Sequence, residues 1–327
     1  MIRFGVLGAA RIAPAAMVDP CGNEPRAEIH CVAARDRVRA ESFAGDHAIS
    51  VVHDHYEDVI SDPSINAVYN PLPISLHHEW TIRALRAGKH VLCEKSFSAN
   101  AKEAAEMEAV AKDTNLVLME AFHYRYHPVF RRAVEVVESG LLGQVRRVEA
   151  VFHIEITDAS DIRMNYPMGG GVTMDIGCYP ISWVRHITGE EPIEVTATAE
   201  TGPPHVDILL EAQFVFASGI QASISGDMRS GTEKRKDLKV VGDRGEMMVT
   251  DPLVPHNGHR IDLEIQGEKT VEELDHRPTY AYQLDAFIDA IEEGKPLLTD
   301  AADAVRQMQL IDRCYESAGL PVRGLDL

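Results

Sequence analysis

The chain has 327 residues, 45% of them hydrophobic, enough apolar material for two cores, so two domains are expected. A formal net charge of −19 opposes nucleic-acid phosphates and anionic lipid, which excludes nucleic acid and membrane surfaces as expected partners. The opening MIRFGVLGAARIAP has no secretory pattern, no stretch is apolar for a bilayer's length, and Cys21, Cys31, Cys93, Cys178 and Cys314 form no C-x-x-C pair. The expected location is a reducing cytoplasm.

From residue 2 to about residue 120, short β-rich runs alternate with segments of helical period, the order of βαβ units on a parallel sheet. Strands are predicted over 2–7, 29–34, 51–52, 67–70, 90–93 and 116–119, and helices over 81–87 and 101–112. Gly88 directly after the first of these helices suits a left-handed stop. A helix over 128–138 then leads into the alternation of antiparallel strands. Ile208, Leu210, Ala212, Phe214 and Phe216 face one way, against Glu211 and Gln213. Ile220, Ala222 and Ile224 repeat this against Gln221, Ser223 and Ser225, so one sheet face is apolar and the other polar. Helices over 280–293 and 301–318, separated by Gly294 and Pro296, close the chain.

The first strand runs into Gly8-Ala9-Ala10-Arg11-Ile12-Ala13, the G-x-G-x-x-G dinucleotide fingerprint with alanine at its second and third glycines. Gly8 permits the tight turn, and the helix that follows offers free N–H groups to a pyrophosphate. At the end of the second strand an NAD enzyme usually places a carboxylate for the ribose hydroxyls. Here the tip is Ala34-Arg35, and a guanidinium suits a 2′-phosphate, so NADP is favoured, with NAD the other option. The competing reading makes Asp36 a helix N-cap and the neighbouring arginines a solvated face.

Glu94 and Lys95 stand just beyond the strand over 90–93, at the carboxyl edge where open α/β sheets bind ligands. Gly169-Gly170-Gly171 leads into a predicted helix, on one face of which Asp175 and Tyr179 lie four residues apart.

In their order and spacing these pieces resemble the glucose-fructose oxidoreductase, inositol dehydrogenase and rhizopine-catabolism (Gfo/Idh/MocA) family. The similarity is greatest to its branch of dimeric dihydrodiol dehydrogenases and NADP-dependent D-xylose dehydrogenases. It rests on GVLGAARIA, AARDRVRAESFA, YNPLPISLHHEWTIRALRAGKHVLCEKSFSANA, LMEAFHYRYHP, GGGVTMDIGCYP and AFIDAIEEGKPLLTDAADAV. The resemblance implies an α/β fold: a Rossmann-type dinucleotide-binding domain over 1–121, then an α+β domain over 122–327. The second domain would carry a large, mostly antiparallel open sheet and would bind substrate and form a homodimer or higher homo-oligomer.

Residue by residue, the resemblance implies that Lys95, Tyr179 and Asp175 are catalytic. It places the pyrophosphate on Gly8, Ala9, Ala10, Arg11 and Ile12, and the adenosine end near Ala34 and Arg35. The nicotinamide ribose falls near Leu72, Pro73, His77, Glu94 and Lys95, and Arg125 in a junction segment with a cofactor or structural role. Two positions depart from the family pattern: Ser96 replaces the proline of Glu-Lys-Pro, and Ile74 a usual asparagine. Without the proline, Lys95 is released from a local restriction to extended backbone.

The expected activity is transfer of a hydride between nicotinamide and a hydroxyl or carbonyl of a sugar-like or diol-like small molecule, with proton transfer by a base. An isolated tyrosine titrates near pH 10, so Tyr179 needs a cation such as Lys95 to serve at neutral pH. The two roles are interchangeable at this level, and Asp161 and Arg163 are further candidates for substrate contact. Two alternatives are a non-catalytic NADP-binding regulator and a metal-dependent hydrolase or isomerase, suggested by fifteen histidines that include the His77-His78-Glu79 cluster. No metal-ligand spacing supports the latter, and no metal is expected.

Overall fold

In the computed structural model, which describes residues 1–202, 204–258 and 260–324, the chain forms two units. Met1–His123 and Tyr280–Arg306 make the first, Tyr124–Thr279 with the chain from Gln307 onward the second.

The first unit is built on β1 (Ile2–Leu7), β2 (Ala27–Ala33), β3 (Val51–Val52), β4 (Ala67–Asn70), β5 (His90–Cys93) and β6 (Leu118–Glu120). All five pairings are parallel and the order is β3-β2-β1-β4-β5-β6, the doubly wound arrangement that binds dinucleotides at the reversal beside β1. Helices cover both faces of such a sheet, so its strands read as apolar runs; β4 is buried throughout. The helix predicted over 81–87 runs from His77 to Arg86 and stops at Gly88, whose φ is +79°. The helix Ala101–Thr114 is capped by the Asn100 side chain, which accepts from the Glu103 N–H at 3.0 Å.

The cut after residue 121 assigns all later residues to the second domain, but the segment Tyr280–Arg306 clusters with the first unit. Packing explains this difference: the Phe287 ring lies 5.6 Å from Phe4, Asp289 accepts from Arg26 at 2.8 Å, and Thr299 bonds to the Glu120 main chain. Sequence order hides such a return, because the strand edge it covers lies far back in the chain.

The second unit contains β7 (Val145–His153), β8 (Glu194–Gly202), β9 (Val206–Val215), β10 (Gln221–Asp227), β11 (Arg235–Gly242), β12 (Gly245–Thr250), β13 (Ile261–Ile265) and β14 (Glu268–Glu272). They form one eight-stranded sheet in the order β14-β13-β12-β11-β7-β10-β9-β8, antiparallel except where β10 runs parallel to β7. Leu210, Ala212 and Phe214 are buried while Glu211 and Gln213 are exposed, as the alternation predicts; Ile208 is only half-buried. The helix Cys178–Thr188 lies on β7 and β10 and packs against the helix Pro128–Glu138.

Candidate functional site

In the first unit, β1 ends in a turn that only glycine takes readily: Gly8 has φ +95°, and its N–H donates to the Ala33 carbonyl at 2.7 Å. A β-carbon there would stand 3.3 Å from Leu72 Cδ2. Ala9 and Ala10 are half-buried, Arg11 and Ile12 exposed, and the chain then winds through a π-segment, Pro14–Val18, into Asp19–Asn23. The small side chains leave the backbone of this turn open to a close ligand.

At the tip of β2, Ala34 is buried and Arg35 exposed. Asp36 caps the helix Arg37–Asp46, accepting from the Val38 and Arg39 N–H groups at 2.9 and 3.4 Å. Its carboxylate is thereby committed to the cap. Arg37 pairs with Glu41 and Asp54, which is the solvated-face reading. Arg39 behaves differently: its Nη2 donates to the Ala9 carbonyl at 2.9 Å, bringing a second guanidinium to the dinucleotide turn. Arg39 carries no signal in the sequence beyond its place in the first turn of this helix, because its reach to Ala9 depends on the fold. Burial raises the phenol pKa of Tyr56, with the Arg35 charge and main-chain N–H opposing the shift, so this ring lines the same corner.

Beyond β4, the His77 ring sits between two main-chain carbonyls, Nε2 2.7 Å from Leu72 and Nδ1 2.9 Å from Ser96. Burial lowers its pKa to about 4, the contacts with the carbonyls opposing and the Lys95 charge assisting. His77 therefore ties the Leu72-Pro73 loop to the segment after Lys95. His78 pairs instead with Glu106, and Glu79 with Arg83, so the His77-His78-Glu79 run does not converge on a metal.

Glu94 is buried and accepts from the Tyr69 hydroxyl at 2.8 Å; Lys95 follows, partly buried, and the Lys95–Ser96 peptide is cis. Ser96 is fully buried, and the Phe97 N–H donates to Glu120 Oε1 at 3.1 Å. The position that lacks the family proline is thus held by packing and by the contact of its carbonyl with His77. The five cysteines are free and buried, and burial pushes the Cys93 thiol well above its usual range.

In the second unit, the glycine run lets a loop close on itself: a β-carbon on Gly170 would lie 2.6 Å from the Arg163 carbonyl. Thr173 then anchors the turn, its N–H and hydroxyl both donating to Asp207, at 2.8 and 2.6 Å. Asp207 is fully buried, is paired with Arg323, and accepts from the Tyr315 hydroxyl at 3.3 Å.

The expected regular helix through Asp175 and Tyr179 is corrected here: Thr173–Gly177 is wound as a π-segment, and the α-helix begins at Cys178. Both ends of this stretch are pinned, Thr173 by Asp207 and the Cys178 carbonyl by Gln307 at 2.8 Å, and a wider turn absorbs the extra residue. Asp175 is half-buried with Arg163 Nη1 at 3.6 Å, and Arg163 grips Asp161 through two bonds of 2.9 Å. Asp161 and Arg163, candidates for substrate contact, thus form a brace beside Asp175. Tyr179 is 7% exposed, its ring 5.7 Å from Phe152 and 6.4 Å from Trp183. Arg125 is half-buried in this unit.

A doubly wound sheet with a tight glycine turn and arginines at its second strand tip defines a dinucleotide-binding unit, here joined to an open-sheet unit. Residues 2–122 match the oxidoreductase family with an NAD-binding Rossmann fold, and residues 130–248 match the GFO/IDH/MocA C-terminal domain. The chain belongs to the Gfo/Idh/MocA family of oxidoreductases. It is 33% identical over 316 residues to D-xylose 1-dehydrogenase (NADP(+)) 2 of Haloferax volcanii, covering 96% of this chain and 97% of the relative. It is 32% identical over 199 residues to trans-1,2-dihydrobenzene-1,2-diol dehydrogenase of Xenopus tropicalis, 61% of this chain and 60% of that one. The crystal structure of a 3-ketoreductase from Actinomadura kijaniata with NADP and TDP-benzene superposes with a TM-score of 0.90, at 29% identity over 97% of both chains.

Proposed function

We propose that the protein is an NADP-dependent oxidoreductase that interconverts a hydroxyl and a carbonyl on a sugar, polyol or trans-dihydrodiol. The observation that carries this reading is the corner beside Gly8, where Arg39 reaches the Ala9 carbonyl, Arg35 stands exposed at the strand tip and the Asp36 carboxylate is turned into a helix cap. That donor set fits a 2′-phosphate, and the open glycine turn fits a pyrophosphate. Relatives named as NADP-linked and diol dehydrogenases support the substrate class and favour catalysis over a non-catalytic regulator. Among the described residues no helix is long and apolar enough to cross a membrane. We assign the enzyme to the cytoplasm, where its five free cysteines stay reduced.

NADP, when bound, supplies the hydride acceptor or donor. Gly8, Ala9, Ala10, Arg11 and Ile12 hold the pyrophosphate, and Ala34, Arg35 and Arg39 the adenosine end. Leu72, Pro73, His77, Glu94 and Lys95 orient the nicotinamide ribose. Tyr179 moves the proton of the substrate hydroxyl, the Lys95 ammonium favours its phenolate, and Asp175, braced by Arg163, orients the reacting group. Arg35→Ala is expected to weaken NADP about tenfold or more and leave NAD unchanged, because a charge-assisted bond to the phosphate is lost. Fluorescence titration with both nucleotides checks this, and wild-type NADP affinity in the variant overturns the cofactor assignment. Absorbance assays with pentoses, hexoses, inositols and trans-dihydrodiols test the substrate class; turnover of none of them overturns it.

The polar face of the open sheet, with Glu211, Gln213 and Gln221 exposed and Ser223 and Ser225 half-buried, is assigned to a two-fold homodimer. Sedimentation at micromolar concentration is expected to give twice the chain mass of 36.1 kDa. A monomer would remove the assignment.

A further inference from the structure

At the edge of the first unit's sheet, apart from the Gly8 turn, three different elements bring a thiol, an imidazole and a carboxylate together. Cys31 lies on β2, His53 follows β3, and Asp62 ends the helix Tyr56–Ser61. Their donor atoms all lie within 4.8 Å of one another. We propose that Cys31, His53 and Asp62 form a binding site for a divalent cation of the zinc class.

The geometry is close to what such an ion needs. His53 Nε2 stands 3.0 Å and His30 Nε2 3.8 Å from the same oxygen, Asp62 Oδ2. Zinc bonds of about 2.0–2.3 Å in a tetrahedron put neighbouring donors roughly 3.3–3.8 Å apart. The three ligands, whose donor atoms lie within 4.8 Å of one another, therefore close on an ion by side-chain movements of about an ångström. The backbone under it is fixed: Cys31 pairs with Val51 in the sheet, and the His53 N–H donates to the Val32 carbonyl at 2.9 Å. Asp62 Oδ1 accepts from the Ser64 N–H at 2.8 Å, which turns Oδ2 toward the histidines.

The mixed sulfur, nitrogen and oxygen set selects zinc and its neighbours over magnesium or calcium, which prefer oxygen alone. Cys31 is buried, while both histidine rings are about a quarter exposed, so an ion enters from solvent past the imidazoles. Binding forms a metal–sulfur bond as the S–H bond breaks and its proton leaves to solvent, so affinity rises with pH. Lys89 is the opposing charge nearby; its Nζ donates to the Asp62 and Ile65 carbonyls, each at 2.7 Å, and so is directed at the main chain. A bound ion would staple the two-residue edge strand β3 and the helix end to β2. The ligands share no compact sequence motif, which is why no metal was expected from the spacing alone.

The test is titration of the reduced, chelator-stripped full chain with Co²⁺. The expected result is one equivalent bound with a thiolate-to-cobalt charge-transfer band, displaced by Zn²⁺, and a higher unfolding temperature with Zn²⁺. Cys31→Ser should abolish the band, and His53→Ala, a change at a partly exposed ring, should weaken binding about tenfold or more. Absence of the band in the wild type, its survival in Cys31→Ser, or unchanged affinity in a folded His53→Ala protein would each overturn the proposal. NADP affinity, measured alongside, reports whether the variants fold, and its loss from the wild type would instead count against the cofactor assignment.

Discussion

Tyr179→Phe is expected to bind NADP like the wild type and to transfer hydride about two to four orders of magnitude more slowly. The ring packs beside Phe152, Tyr124 and Trp183 at centroid separations of 5.7, 6.1 and 6.4 Å, contacts that phenylalanine keeps. Only the hydroxyl is removed, so what is lost is proton transfer. Lys95→Ala should also lose turnover and, on the proposed roles, its residual oxidation should need higher pH. Stopped-flow measurement on enzyme saturated with NADP separates this from a structural effect. A rate within a few fold of normal for Tyr179→Phe removes Tyr179 from the chemistry and leaves Lys95 as the acid-base group.

Asp207→Ala is expected to destabilise the protein by about 3–5 kcal/mol, the usual cost of stripping one partner from a buried ion pair. Arg323, 3% exposed, would lose its ion pair with Asp207, and Thr173 would lose the acceptor of both its bonds. Asp207→Asn, which keeps an acceptor for Thr173, should lose less. Because Thr173 opens the π-segment that carries Asp175, turnover should fall in both variants while NADP binding to the first unit holds. Urea unfolding curves followed by circular dichroism measure the stability change. A loss under about 1 kcal/mol for Asp207→Ala would mean that the network contributes little beyond exposed pairs.

Local chemistry marked many of the site residues in advance. Gly8 had to be a positive-φ turn because a strand ran straight into it with small residues following, and Asp36 was a standing N-cap candidate before a helical stretch. Arg163 was visible as a charged residue before the glycine run, but its grip on Asp161 and its approach to Asp175 depend on how the loop folds back. Asp207 and Arg323 gave no signal at all: an aspartate inside an alternating strand and an arginine near the chain end read as surface residues. Their burial follows from a partner 116 residues away in sequence.

What the sequence determined by itself was the run of strands in the first sheet, the apolar face of β9 and β10 in the second and the dinucleotide turn. Each follows from periods and steric rules that act within a few residues. Only the tertiary structure decided that Tyr280–Arg306 returns to the first unit, that the stretch before Tyr179 is π-wound, and that Cys31, His53 and Asp62 meet. These outcomes depend on contacts between residues far apart in the chain, where burial and pinned ends override local preference and no spacing rule applies.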